Sequence, residues 1–263
     1  EVEFFTKSKA AAERALALDE TEAQAHASLG FVLYHFQWAW EPAEREIRRA
    51  MELDPNSHHW IYALYLQAAG RYDDAIEHFR LAQERNPTSD RLEAQLANTY
   101  ACAGRYDEAI ARARALRARI EQSGRTRAYW DSVWLLNFTS RQLSLKGAHD
   151  EAIREAEKLK ALSSDSVISL GRLAFAYALA GRHEDAKSIL RRLEAQTPVR
   201  REPWRVAPIY AALGNADRAL ELEEAAYPAT RYRLAYYRCS EVYQLLRDEP
   251  RMQTFVRRMG FPS

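Results

Sequence analysis

Asn56–Ser89 reads NSHHWIYALYLQAAGRYDDAIEHFRLAQERNPTS, and its punctuation decides the fold. Apolar residues recur at helical spacing through Ser57–Ala69 and again through Tyr72–Arg85. Gly70 stands between them, where a residue without Cβ closes a helix at no steric cost. Asn86-Pro87 stops the second segment, because proline lacks an N–H and restricts the residue before it. The stretch predicts two short amphipathic helices joined by a tight turn.

The pattern repeats outward from there. GRYDDAI at Gly70 returns as GRYDEAI at Gly104, 34 residues on. GAHDEAI begins at Gly147, GRHEDAK at Gly181 and GNADRAL at Gly214. An alanine follows each glycine by five residues: Ala75, Ala109, Ala152, Ala186 and Ala219. A small side chain there lets the second helix lie close to the first. No such pair buries its apolar face alone, so neighbours must stack.

A helix–turn–helix period of 34 residues resembles the tetratricopeptide repeat family over nearly the whole chain. The resemblance implies an all-α fold: a right-handed superhelical solenoid of about six helix-turn-helix repeats, an N-terminal half repeat and a C-terminal capping helix. We read 1–263 as a single domain, with 1–20 the half repeat. Repeats follow at 21–55, 56–89, 90–123, 133–165, 166–198 and 199–227, and 228–263 is the cap. In the cap, Pro250 suits the first turn of a final helix, whose Phe255, Val256 and Met259 would close the last repeat.

Three places depart from the period. The first turn, FQWAWEP, has no glycine and one extra residue, and Trp38 and Trp40 are expected to wedge it against the next repeat. Gly104 to Gly147 spans 43 residues, so an insertion lies near Ser123–Asp131: the second helix of the third repeat, the first helix of the fourth, or both should run long, and the stack should bend there. Pro203 and Pro208 should shorten or distort the first helix of the sixth repeat.

The W-x-W turn with HHW beyond it, and the ending LLRDEPRMQTFVRRMGFPS, are similar to C-terminal repeat regions of bacterial signalling proteins. These regions follow winged-helix transcription regulators, adenylate cyclases or serine/threonine kinases. The resemblance implies a regulatory or sensor portion whose output domain lies elsewhere. A half repeat without its partner helix, and Glu1 rather than Met at the start, agree with a longer parent. The expected compartment is the cytoplasm, or outside it if the parent is membrane-anchored.

Composition excludes several classes. Net charge is +1, so no global field draws the chain to nucleic acid or to a membrane. No apolar run is long enough to span a bilayer. Cys102 and Cys239 make no disulfide framework and are expected to be two buried thiols. The paired acids Asp73-Asp74, Asp107-Glu108, Asp150-Glu151 and Glu184-Asp185 recur at one place in each repeat, so they mark helix starts rather than acid–base catalysis. His58 and His59 diverge by about 100° on a helix, too far to share one metal. No cofactor, metal or catalytic constellation is implied, and the oligomeric state is not legible.

The candidate site is the concave groove lined by first helices. Its inward positions hold Phe31, Tyr34, His35, Trp60, Leu64, Gln67, Arg91, Asn98, Trp134, Asn137, Arg141, Phe175 and Trp204. Aromatic anchors among amide and guanidinium donors suit a protein or peptide partner. Asn98 matches one position of the family's carboxylate clamp, but Ala94 replaces its lysine companion, so that clamp is not expected. A second reading is an anionic partner, such as nucleic acid, on the basic segment Arg112, Arg114, Arg117, Arg119, Arg125 and Arg127. A third is a small-molecule sensor with its pocket at Ser123–Asp131.

Overall fold

In a computed structural model, the residues described are 2–123, 128–196, 199, 202–230 and 237–261. They are helical, and no strand occurs among them. The chain falls into two compact units. One comprises Glu1–Ala103, Thr230–Arg238 and Thr254–Ser263; the other comprises Gly104–Ala229 and Cys239–Gln253.

The first unit holds α1 (Val2–Leu18), α2 (Ala23–Val32), α3 (Trp40–Leu53), α4 (His59–Ala69), α5 (Tyr72–Arg85) and α6 (Asp90–Cys102). Successive helices pack on one another throughout. Gly70 closes α4 as the sequence requires. Its φ is 85°, its N–H reaches the Gln67 carbonyl, and the Arg71 N–H reaches back to the Leu66 carbonyl at 2.9 Å. Ser89 caps α6 by accepting from the Leu92 N–H. Glu44 of α3 accepts from the hydroxyls of Tyr62 and Tyr65 on α4 at 3.1 and 3.2 Å, which ties two repeats together.

The extra residue in the first turn is absorbed by a π-helical turn at Leu33–Gln37, after which Trp38 takes a left-handed φ of 59°. Trp40 packs on Tyr65 of the next repeat, as expected. Trp38 is buried too, and both rings also meet the chain's end: Trp38 lies 5.7 Å and Trp40 5.4 Å from the Phe261 ring. Pro250 begins the final helix, but the buried face is Met252, Phe255 and Met259, with Val256 only half-buried. Phe255 and Met259 belong with the first repeats and not with the last, and Phe255 packs on Tyr237.

The second unit holds α7 (Tyr106–Gln122), α8 (Ala128–Lys146), α9 (His149–Ser163), α10 (Val167–Leu179), α11 (His183–Glu194), α12 (Ala207–Ala212), α13 (Ala216–Thr230) and α14 (Glu241–Leu246). Both helices flanking the insertion run long, at 17 and 19 residues against 11 for α4. Gly124–Arg127, the centre of the insertion, lies outside the described residues. A 3-10 turn at Pro203–Val206 and the six-residue α12 replace a full first helix in the sixth repeat, the distortion expected of its two prolines. The final helix, α15, is Pro250–Arg258.

The five period alanines are all fully buried. At Ala152 the closeness of the two helices is visible: the Ser140 hydroxyl of α8 donates to its carbonyl at 2.8 Å. The recurring acids sit in the first turn of each second helix, where the helix dipole favours anions. Three of them also bind the arginine that follows the turn glycine: Arg71 with Asp74, Arg105 with Glu108 and Arg182 with Asp185. One expectation fails outright. Both cysteines are disulfide-bonded and neither is a free thiol; a cysteine in an irregular tail has no partner readable from spacing.

Candidate functional site

The expected groove residues divide by burial. Tyr34, Leu64, Gln67 and Phe175 are buried in packing and present no side chain to solvent. His35 stacks on Phe5 and Phe31 lies tilted against it, so α1 covers them. Asn98 is half-buried, and Trp204 is half-buried beneath the guanidinium of Arg205, 5.2 Å away. The residues that remain form two groups, one in each unit.

In the first unit, Trp60 on the first turn of α4 and Arg91 on the first turn of α6 come together. The Arg91 guanidinium lies 4.4 Å over the Trp60 ring, a cation–π contact. Phe79 of α5 meets the Trp60 ring edge-on at 5.6 Å. Trp60 and Arg91 line a cavity of about 410 Å³. Its walls also carry Asn56, Ser57 and His59 from the start of α4, Ala82, Arg85 and Asn86 from the end of α5, and Ser89 and Leu92 around the cap of α6. The lining has two arginines and no carboxylate. An aromatic floor, neutral hydrogen-bonding walls and positive charge can hold a side chain that is apolar at its root and anionic at its tip.

A histidine pair backs this cavity. His59 Nδ1 and His78 Nδ1 are 2.9 Å apart, a contact that needs at least one ring neutral, and His78 packs against Tyr62. His58, His59 and His78 are all held below the ordinary value, each chiefly by burial; Arg85 adds to the effect on His59, and His59 adds to that on His78. The unfolded chain therefore binds protons near pH 6.5 while the folded chain resists them. The sign is that stability is complete above pH 6.5 and falls as pH drops below it. A melting temperature lower by a few degrees at pH 5.5 than at pH 7.5 is expected, and a His59→Ala, His78→Ala double variant should flatten that slope. A slope unchanged in the double variant would assign the effect elsewhere.

In the second unit, α8 presents Trp134, Asn137 and Arg141. Trp134 is 42% exposed and stacks on Phe138 at 5.2 Å, with the Arg141 guanidinium 5.4 Å from the Phe138 ring. Arg172 of α10, not anticipated from the sequence, is nine-tenths buried beside them. Its Nε donates to Asn137 Oδ1 at 2.9 Å and its Nη2 to Glu241 Oε1 at 2.8 Å. Arg141 Nη1 stands 3.8 Å from the same Glu241 oxygen. Burial alone would raise the Glu241 carboxyl, but the charges of Arg141 and Arg172 outweigh it and hold it at about 2. Arg172 and Glu241 had no readable signal, since an arginine amid IS-L-GRLAFAY reads as one polar break in a core helix and Glu241 lies beyond the repeats.

Two arginines of the basic segment are held by α9. Arg114 pairs with Glu151, and Arg117 with Glu155 of α9 at 2.7 Å. Arg112 is half-buried and Arg119 exposed, while Arg125 and Arg127 lie outside the described residues. Among the described residues no cluster of histidine, cysteine or carboxylate side chains could hold a metal ion. No described helix is long and apolar enough to cross a membrane.

The family model for the tetratricopeptide repeat matches residues 66–128. No curated protein sequence matches the chain. Among solved structures, Pseudomonas aeruginosa PilF is 21% identical, covering 91% of this chain and 98% of its own, with a TM-score of 0.50. PilW, a type IV pilus biogenesis factor, is 19% identical over 89% of this chain and 98% of its own, with a TM-score of 0.54. The Rap protein complexed with competence and sporulation factor is 11% identical over 94% of this chain and 79% of its own, with a TM-score of 0.57. At these identities the likeness is one of fold. With the recurring glycine-turn hairpins, it gives the chain a tetratricopeptide-like helical-repeat fold, and the family's own model is matched at residues 66–128.

Proposed function

We propose that the chain is a non-catalytic interaction scaffold that holds a peptide or protein partner, with the Trp60–Arg91 cavity as one anchor point. The observation that carries this reading is the cavity itself: an aromatic ring under a guanidinium, with Arg85 beside it and no acid in the lining. A partner segment with an acidic residue next to an apolar one suits it. The fold neighbour Rap was solved in complex with a partner, which supports the use of such a scaffold for binding.

The finer reading is that this scaffold is the regulatory or sensor part of a larger bacterial signalling or transcription protein. It rests on the W-x-W turn and the C-terminal ending. The oxidised cysteines favour an oxidising compartment over the cytoplasm for that parent. The nucleic-acid reading is weakened by the pairing of Arg114 and Arg117 with α9.

The test starts from a random peptide library selected on the wild-type chain. Selected peptides should lose about ten-fold or more in affinity for an Arg91→Ala variant, and more for Trp60→Ala, Arg91→Ala. Arg91 is exposed, so its removal leaves the fold intact. Equal affinity for wild type and the double variant would refute the Trp60 cavity as the anchor.

A further inference from the structure

A buried guanidinium is costly unless its donors are met and its charge is balanced. Arg172 meets these demands only in part. Its Nε and Nη2 are bonded to Asn137 and Glu241, while its buried Nη1 has no hydrogen-bond partner among the described residues. Arg141 reaches the same Glu241 oxygen at a looser 3.8 Å. Two guanidinium groups thus share one oxygen of one carboxylate. The guanidinium fork suits an anion that offers both oxygens at once, and Glu241 is not placed to do so.

The origin of the four residues matters. Asn137 and Arg141 lie on α8 and Arg172 on α10, the first helices of two neighbouring helix pairs. Glu241 belongs to no repeat. It begins α14, a helix of only six residues in the tail beyond the last hairpin. The exposed Trp134 ring stands next to this cluster, through Phe138, and offers an apolar surface beside the charge.

We propose that Asn137, Arg141 and Arg172 form a receptor for an acidic side chain of a partner protein, and that Glu241 is an internal stand-in which the partner displaces. Glu241 shows the chemistry the receptor accepts: a carboxylate carried on a peptide chain. Being tethered, it competes at a high effective concentration and weakens the apparent affinity for an outside carboxylate. The arriving segment fills both oxygens and covers Trp134. The inference concerns the second unit and stands whether or not the Trp60 cavity takes a partner.

The probe is a capped peptide of four glutamates, with its four-lysine counterpart as control, titrated into the full chain. Glu241→Gln is expected to bind the acidic peptide about ten-fold or more tightly than wild type, and adding Arg141→Ala should abolish that gain. The lysine peptide should bind neither. In the wild type, saturating acidic peptide should speed amide hydrogen exchange across residues 241–246. No gain in Glu241→Gln, or a gain that survives Arg141→Ala, overturns the proposal. Should Glu241→Gln fail to fold, the wild-type exchange decides: unchanged protection at 241–246, or no binding of the acidic peptide at millimolar concentration, overturns it equally.

Discussion

Phe79→Ala is expected to lower the free energy of unfolding by about 3–5 kcal/mol, read as a shift in urea midpoint at unchanged slope. Phe79 is fully buried on α5 and meets the Trp60 ring edge-on. Truncation removes its burial and leaves a void between α4 and α5, which rigid neighbours fill only in part. Phe4→Ala is the control: that ring is 69% exposed, and its loss should change stability by about 0.5 kcal/mol or less. The same void would unseat Trp60, so Phe79→Ala should also weaken any peptide held in the adjoining cavity. A stability loss no larger than that of Phe4→Ala would mean that α4 and α5 do not pack as described.

Two glycine substitutions, identical on paper, should act with opposite signs. In Gly30→Ala the new Cβ would stand 2.5 Å from Ile47 Cγ1 and 3.0 Å from the Ala43 carbonyl oxygen. Ile47 is fully buried and the carbonyl is backbone, so neither yields cheaply, and the overpacking should cost about 1–3 kcal/mol. Gly171 also lies inside a helix, α10, but a Cβ there meets nothing within 4 Å. Gly171→Ala should stabilise by about 0.5–1 kcal/mol, because alanine loses less backbone freedom than glycine on entering a helix. Thermal denaturation of the two variants side by side tests both; a Gly30→Ala protein as stable as wild type would contradict the close approach of α2 and α3.

The hairpins, the long helices around the insertion and the broken first helix of the sixth repeat were legible from the residues alone. Each depends on interactions within about one helical turn: a glycine that takes positive φ, a proline that withholds an N–H, an acid at a helix start. Such short-range terms act on the chain wherever it folds. The small, fully buried alanine of each hairpin was legible for a related reason, since one spacing recurs wherever two helices must touch.

The site was legible only in outline. Periodicity placed Trp60, Arg91, Trp134, Asn137 and Arg141 on first helices, but it placed Tyr34, Leu64, Gln67 and Phe175 there too, and these are buried. A first helix in a stack packs on several sides, so its repeat position does not say which side meets solvent. Only tertiary structure put Arg91 over Trp60, brought Glu241 to an arginine 69 residues earlier, and laid Phe261 against the W-x-W turn. Those contacts join segments far apart in the chain, and the partner of each is chosen by packing and charge balance that no local pattern encodes.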